Sequence, residues 1–376
     1  MTFALTVEQN ELSSTLSHLL ARHSDSGAVR RAVERAPGYD EGLWRTLCEQ
    51  VGVASLAIPE EYGGAGFSLV ETHVVLERLG AALTPSPLLG SGVLAAQALL
   101  LSGETAACAR LLPGIAEGTR IAAVCWAGED SHWRTDRSDV RAEAGDAGNT
   151  WSLTGTTSLV LDGGAAHTFL VVARTGPGRV GLFEVDAADD RARPTPTPAV
   201  DSTVNLARVE FDGVSGVPLA VDAAGLLETL HDVAAVAISA LQVGAAQRAL
   251  DMTVAYSNER VQFGRPIGSF QALKHRMADM LVAVETARSA SWAAAWSAAR
   301  RDPELPARAA LAKAWCSEAL NDVAAEAVQL HGGIAITWEH DAQMLFKRAH
   351  ATSQLFGQPH EHRSRLFRHI VGAAPR

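Results

Sequence analysis

Hydrophobic positions recur with a helical period in the first and last thirds of the chain and in short runs between them. Leu12 and Leu16 lie four residues apart, the spacing of one buried helix face. Further along, Ser68 followed by Glu71 has the spacing of a capping box, after a glycine-rich turn. We therefore predict an N-terminal helical domain over residues 1–117.

Between residues 118 and 216 the apolar runs become short and are separated by clusters of Gly, Pro, Asp and Asn. The runs are IAAV, WSLTG, SLVL, HTFLVVAR, VGLFEVD and VNLARVEF. This pattern predicts antiparallel strands in a small barrel or sandwich. GxxxxGK[ST] does not occur in the sequence, and the one GxGxxG match, GPGRVG at residues 176–181, lies between two β-type runs and does not open a helix, so the sequence offers no Rossmann or P-loop phosphate cradle.

Residues 217–376 return to a helical period rich in alanine and leucine. We predict four long helical pieces: Ala223 to Ser257, Ser269 to Arg300, Leu305 to His331, and Asp341 to the C-terminus. The predicted fold class is mainly α with a central β domain. It combines an N-terminal helical domain, a small antiparallel β barrel or sandwich and a C-terminal four-helix bundle.

Composition narrows the possible partners. The net charge is -10 and no block of lysine and arginine occurs, which argues against nucleic acid or an anionic membrane as the main partner. The N-terminus lacks the features of a secretory signal, and the apolar stretches are too interrupted to cross a bilayer, so we expect a cytoplasmic protein with no membrane partner. The four cysteines lack CxxC or metal-ligand spacing and predict neither disulfides nor a metal site.

Polar groups cluster at the joint between the first two C-terminal helices. Arg260 to Gly264 ends one helix, and Phe270 with Gln271 begins the next. A guanidinium offers a planar fork of donors for phosphate oxygens, and the free N–H groups of a helix start favour an anion. Such a corner suits a diphosphate, with the ring and amide available to an adenine. Alternatively, Arg260 pairs with an acidic neighbour and only caps the bundle.

Three segments favour the first interpretation. NERVQFGRPIGSFQALKHRMADM (Asn258 to Met280) resembles the helix-turn-helix signature of the acyl-CoA dehydrogenase family. LERLG and VQLHGGIAITWEHDAQMLFKRA (Val328 to Ala349) are similar to two further family segments, in the family's order and spacing. The resemblance covers essentially the whole chain.

The resemblance implies an FAD site shared between subunits of a homo- or heterotetramer. It places the residues matching Arg260, Gln262 and Phe263 at the FAD diphosphate and those matching Ile267, Phe270 and Gln271 near the adenosine. The residues that match the segment closing over the diphosphate or ribityl chain are Gln329, Gly332 and Gly333. It further implies an acyl-CoA or carrier-bound acyl thioester as substrate and an electron-transfer flavoprotein or similar acceptor. His331 is interpreted as structural.

This sequence departs from the family at the catalytic base, a glutamate that removes the α-proton. The family's base positions fall on Phe356, Ala234 and Leu241, none of which is acidic. The catalytic residue is therefore unknown. Asp232, with His231, and Glu361 are weak substitutes, and Glu361 is better explained by its place at a helix start opened by Pro359.

The β domain departs as well. Family members usually place Thr-Glu-Pro-like and Trp-Ile-Thr-like segments against the flavin ring, whereas this chain has VCWAGED and SLVLDG, which lack those hydroxyl donors. Trp126 either covers the ring or only packs the sheet.

Three functional hypotheses follow. The chain is a subunit that oxidises an acyl thioester with a base from a partner chain. Alternatively, it completes a partner's FAD site without an active site of its own. The third possibility is a flavin oxidase or monooxygenase built on the same fold, in which no base acting on carbon is needed.

Overall fold

A computed structural model describes residues 5–145 and 150–372 of the chain. The helices are α1 (Val7–His23), α2 (Ser26–Val33), α3 (Glu41–Thr46), α4 (Leu69–Ala82), α5 (Ala96–Ser102), α6 (Thr105–Ala116), α7 (Ala224–Glu259), α8 (Gln271–Arg300), α9 (Leu305–His331), α10 (Ala342–Gln354) and α11 (Pro359–Gly372). The strands are β1 (Ala122–Cys125), β2 (Arg141–Ala144), β3 (Trp151–Leu161), β4 (Thr168–Gly176), β5 (Arg179–Asp186), β6 (Ala192–Pro196), β7 (Leu206–Ala220), β8 (Val261–Gln262) and β9 (Arg265–Pro266). The predicted fold class is confirmed.

The chain forms two compact units. The helical unit comprises the chain up to Arg30, His73–Thr84 and the chain from Ala235 onward. The β-containing unit comprises Arg31–Thr72 and Pro85–Ala234. The domain boundaries given above remain predictions.

The sheet of the β-containing unit closes on itself. Its strand order is β1-β4-β2-β3-β7-β5, with β6 on β7 and a further pairing of β4 with β5. This closure makes a barrel around a core that includes Phe169, Phe183 and Phe211, each at most 1% exposed. The prediction of antiparallel pairing is wrong at β1, which pairs in parallel with β4. The long connection between these two strands leaves room for the crossover that a parallel pair needs.

Strand β3 corrects a second detail of the prediction. WSLTG and SLVL form one strand, Trp151–Leu161, rather than two. Two register shifts against β7 absorb the irregular middle of this strand. Gly155 lies there because an added Cβ would stand 2.3 Å from the Asp139 carbonyl oxygen. The glycine thus marks a close backbone approach inside the strand. Strands β2 and β6 were not predicted.

The helical unit packs α7 to α11 around a core of small and branched side chains, including Val284, Leu320 and Leu345. The third predicted helix coincides with α9, and Gly332 ends it with a φ of 66°. The predicted last piece is instead two helices, α10 and α11, because the chain turns at residues 355–358.

Glycines also set the distance between α4 and α7. A Cβ on Gly244 would stand 1.9 Å from the Glu77 carbonyl oxygen, and one on Gly80 would stand 2.2 Å from that of Leu241. These two helices therefore cross with their backbones nearly in contact. Helix α7 is the one described helix whose length and hydropathy would suit a bilayer, and 61% of its apolar window is buried within the protein.

The predicted start of α4 is confirmed. The Ser68 hydroxyl accepts a hydrogen bond from the Val70 amide at 3.1 Å, and the Glu71 carboxylate accepts one from the Ser68 amide at 3.0 Å. Gly63 and Gly66 in the preceding turn both have positive φ values, 79° and 68°. The turn thus needs glycine for its backbone conformation.

Candidate functional site

The polar joint is a hairpin inserted between α7 and α8. Strands β8 and β9 pair through Val261 with Pro266 and Gln262 with Arg265. The tip residues, Phe263 and Gly264, have φ values of 54° and 77°. Positive φ at both tip residues is the geometry of a type I′ turn, which glycine adopts freely and phenylalanine only under strain.

Both backbone groups of Arg260, its N–H and its carbonyl, form hydrogen bonds within the chain. Its N–H donates to the Tyr256 carbonyl in the last turn of α7 at 2.9 Å, and its own carbonyl accepts the Ile267 N–H at 2.8 Å. The guanidinium is exposed, and no carboxylate of the described residues forms an ion pair with it. The alternative in which Arg260 pairs with an acidic neighbour is therefore not what this chain adopts.

The other expected diphosphate and adenosine contacts lie on the same corner. Gln262 and Gln271 are exposed, and Ile267 is half-buried. No side chain caps the start of α8, which leaves its first-turn N–H groups available to an anion.

Phe270 already has two neighbours of its own. The Arg265 guanidinium lies 4.0 Å from the centre of its ring, and the Phe263 ring meets it edge to face at 6.1 Å. One part of the ring surface is thus occupied by a cation–π contact within the chain.

The glycine segment after α9 is exposed and bare. Gln329, Gly332 and Gly333 are all exposed, and no atom of the described residues lies within 4 Å of a Cβ added at either glycine. The backbone of this segment can therefore be approached closely.

Two aromatic rings connect this segment to the hairpin. Tyr256, whose carbonyl binds the Arg260 amide, stacks on His331 with 4.5 Å between ring centres. The His331 Nδ1 atom lies 2.7 Å from the Ala327 carbonyl oxygen, which can only accept, so this nitrogen carries the proton. Burial lowers the pKa of His331, which favours the neutral ring. These contacts agree with a structural role for His331.

The donor set fits the phosphate chemistry of FAD. An unpaired guanidinium, an uncapped helix start and a bare glycine backbone are the groups that bind a diphosphate in proteins. Exposed apolar side chains lie on the hairpin and on the segment that follows α9: Val261, Phe263, Ile334, Ile336 and Trp338, from 46% to 92% exposed. We call these five residues the apolar rim.

The three base positions of the family are occupied by apolar side chains. Phe356 is 2% exposed and Ala234 is fully buried, while Leu241 is half-buried. Phe356 has a φ of 60°, and the His362 Nε2 atom lies 2.8 Å from its carbonyl oxygen. This turn therefore has a fixed shape but offers no acid.

The weak substitutes have contacts that explain them structurally. The Glu361 carboxylate accepts the Gln358 N–H at 2.7 Å at the start of α11, which is the capping role expected from the sequence. Asp232 is 3% exposed and belongs to the β-containing unit, where the His231 ring lies edge to face with Trp126 at 6.0 Å.

Trp126 and SLVLDG can now be placed within the β-containing unit. Trp126 is 3% exposed and its indole N–H donates to the Arg134 carbonyl at 2.6 Å, so the side chain packs and ties down the loop after β1. In SLVLDG, Leu159 has a φ of 50° and Asp162 is buried, with a φ of 54°. Burial raises the pKa of Asp162 to about 7, while a hydrogen bond from Asn205 acts in the other direction.

Sequence reasoning missed one polar residue in the core of the helical unit. Lys313 is fully buried on α9. Its position does carry a signal, because Ala309, Lys313, Cys316 and Leu320 follow one buried stripe of the helix. A lysine on such a stripe is unusual.

Helical regions before and after a β barrel in the chain, with a corner after the long helix α7 whose groups suit a diphosphate, agree with the architecture that the sequence resemblance implies. Sequence models of the family match both helical regions: the acyl-CoA dehydrogenase N-terminal domain at residues 6–119 and the C-terminal domain at residues 226–371. The chain belongs to the acyl-CoA dehydrogenase family.

Individual relatives cover nearly the full chain. It is 43% identical to acyl-CoA dehydrogenase IpdE2 of Mycolicibacterium smegmatis over 96% of this chain and 97% of that protein. It is 41% identical to IpdE2 of Mycobacterium tuberculosis over 96% of each. Among solved structures, the ChsE4-ChsE5 complex of Mycobacterium tuberculosis matches with a TM-score of 0.89 and 31% identity over 100% of each chain.

Proposed function

We propose that this chain is a subunit of an FAD-dependent dehydrogenase that forms an α,β double bond in an acyl thioester, with a catalytic carboxylate from a partner chain. The observation that carries the proposal is the exposed, unpaired Arg260 on a corner that carries part of the apolar rim. In a member of this family, such a corner is explained by a dinucleotide bound where two chains meet.

The reaction divides between a base and a hydride acceptor. A carboxylate would remove the α-proton, and FAD, once bound, would supply the acceptor for the β-hydride, which would leave a 2-enoyl thioester. Electrons then pass to an electron-transfer flavoprotein or a similar acceptor. A positioned general base contributes about two to four powers of ten in rate.

This chain's own contribution is to bind and orient. Arg260 would neutralise phosphate charge, and Gln262 and Gln271 would donate amide hydrogen bonds. The bare backbone at Gly332 and Gly333 would let the cofactor approach closely, beside Gln329. The remaining proposed contacts are Phe263, Ile267 and Phe270.

The need for a partner follows from the three base positions. With Phe356, Ala234 and Leu241 there, this chain has no acid where the family's base would act. The solved ChsE4-ChsE5 complex, which is named for two different chains, supports a heteromeric arrangement. The oligomer is therefore proposed to be a heterotetramer. A cytoplasmic location remains a prediction.

A second candidate is a subunit that completes the partner's FAD site and has no active site. The departures at the three base positions and the leucine-rich SLVLDG segment favour it. It predicts one catalytically reducible flavin for each pair of chains, and flavin content per chain separates the two candidates.

The test is anaerobic titration of the purified chain, alone and with a co-expressed partner, against a panel of acyl-CoAs while flavin absorbance is followed. Bleaching by an acyl-CoA supports the dehydrogenase. Flavin that is never reduced by any thioester, in either preparation, refutes it. Reoxidation by air with a hydroxylated product would point to the oxidase or monooxygenase alternative instead.

A matched pair of variants tests the corner. Arg260→Ala is expected to weaken flavin retention at least ten-fold, because a charged donor to phosphate is lost. Arg363→Ala removes an exposed arginine that pairs with Glu318 on the same unit and is expected to leave flavin content unchanged. Equal flavin content in both variants would exclude Arg260 from the site.

A further inference from the structure

The most unusual group outside the proposed cofactor corner is the amine of Lys313. The residue has no exposed surface, and no carboxylate of the described residues forms an ion pair with its Nζ atom. An ammonium buried without a counter-ion is among the costliest arrangements in a protein core. Either the amine is therefore neutral in the folded chain, or other contacts compensate for the cost of burying its charge.

The hydrogen bonds of the amine match the neutral form. Nζ lies 3.1 Å from the Ser317 hydroxyl oxygen and 3.1 Å from the Ser353 carbonyl oxygen. A neutral amine has two N–H bonds for these two acceptors, whereas an ammonium would have a third proton without an acceptor among the described residues. Burial lowers the pKa of Lys313 to about 7, in the direction that these contacts indicate.

The groups around the amine come from five helices. Cys316 lies on the same helix, α9, and its thiol donates to the Ala287 carbonyl of α8. The Gln242 amide of α7 donates to the Ser317 hydroxyl at 3.0 Å and to the Thr352 hydroxyl of α10 at 3.2 Å. On α11, Glu361 and His362 interact electrostatically with Lys313, and α10 carries the buried Arg348.

The Lys313 amine and the His362 ring hold the two sides of one turn. Lys313 binds the carbonyl of Ser353 at the end of α10, and His362 binds the carbonyl of Phe356 at 2.8 Å. A carbonyl only accepts, so His362 Nε2 carries a proton. Between these anchors the backbone is left-handed at Phe356, with a φ of 60°, and at Gly357, with a φ of 98°. A left-handed phenylalanine persists only where its surroundings fix it.

We propose that Lys313 is a positioning residue that holds the turn at residues 355–358 while its amine is neutral, and that protonation of the amine releases the turn. Opening lets water reach the ammonium, so acid favours the open form. The inference rests on the proposed function in one respect: the turn affects the reaction only if it borders the acyl thioester.

Hydrogen exchange of the full chain, with its partner if the two copurify, tests this directly. The segment 351–362 is followed by mass spectrometry between pH 6 and pH 8.5, with intrinsic exchange rates divided out. For a lysine whose pKa rises from about 7 to 10.5 on opening, the open fraction at pH 6 is about thirty-fold that at pH 8.5. Burial also lowers the pKa of His362 from 6.5 to about 4, and this shift multiplies the ratio of the two open fractions by about four.

The expected result in Lys313→Met is loss of the thirty-fold component, with at most a four-fold component from His362 remaining, because the charge of Lys313 is one cause of the lowered pKa of His362. Lys347→Met, which removes the lysine over the Trp338 ring, should keep the full pH dependence. A wild-type profile no steeper than four-fold overturns the inference, and this measurement needs no variant to fold. A Lys313→Met profile as steep as that of the wild type overturns it as well.

The outcome is separate from that of the flavin titration. Exchange is measured without substrate, so a chain that opens in acid but whose flavin no thioester reduces would keep this inference and lose the proposed function. A chain whose flavin is bleached by an acyl-CoA while the turn stays closed at pH 6 would do the reverse.

Discussion

Replacing Asp162 with asparagine should change how the stability of the β-containing unit depends on pH. The carboxyl is buried at a left-handed position after β3, and a Cβ on Gly90 would stand 2.7 Å from its Oδ2 atom. There is thus little room for water beside the charged form. The substituted amide would keep the shape of the side chain, and its oxygen could still accept the hydrogen bond from the Asn205 side chain.

The magnitude follows from proton linkage. The rise in pKa from 3.8 to about 7 corresponds to about 4 kcal/mol, since one pKa unit is about 1.36 kcal/mol. A raised folded-state pKa means that the folded chain binds more protons than the unfolded chain between these values. The contribution of Asp162 to the free energy of unfolding is therefore fully present below about pH 4 and is lost as pH rises through 7.

The assay is urea unfolding at pH 4.5 and pH 8.0, in which the unfolding of the β-containing unit is monitored through pulse-labelled hydrogen exchange of the β4 amides. The free energy of unfolding of Asp162→Asn, relative to the wild type, should increase by about 3 kcal/mol between the two conditions. Asp190→Asn, at an exposed position of the same unit, is the control and should show no such increase. Equal differences between Asp162→Asn and the wild type at both pH values would refute the reasoning.

Three further substitutions test the packing. Gly244→Ala should lower the free energy of unfolding by about 1–3 kcal/mol, because its Cβ would stand 1.9 Å from a backbone oxygen. Gly225→Ala on the same helix has open space around its Cβ and should leave the free energy of unfolding unchanged or raise it. Glu77→Gln should cost about 3–5 kcal/mol by breaking a buried pair with Arg288, and Glu285→Gln, on an exposed partner of the same arginine, under about 1 kcal/mol. Ser68→Ala should cost about 1 kcal/mol through the loss of the α4 cap, and an unchanged unfolding midpoint would contradict this.

The order of the domains was predictable because helical and β periodicities differ along the whole chain. The details that failed depend on contacts between distant segments. Gly155 lies inside a continuous strand because the Asp139 carbonyl oxygen leaves no room for a Cβ there. This contact is not visible in the local sequence. The parallel pairing of β1 with β4 likewise depends on barrel closure, which no local pattern encodes.

The sequence proposes the residues of the candidate site, and their geometry comes from the structure. Arg260 and the glycine segment were found through motifs, and the Tyr256 to His331 stack that connects them appears only in three dimensions. Lys313 was accessible in principle, since it lies on a helical stripe of small residues. Its interpretation needed the Ser353 carbonyl, which lies 40 positions away in sequence.

Under the proposed heteromeric site, folding and assembly favour different residues at the position of Phe263. It is 92% exposed in a turn whose backbone suits asparagine or glycine. A solitary chain would gain from either replacement, in backbone strain and in solubility. Selection of the isolated subunit for thermal stability would therefore be expected to replace Phe263. Under the proposed function, the resulting more stable monomers would bind their partner chain more weakly.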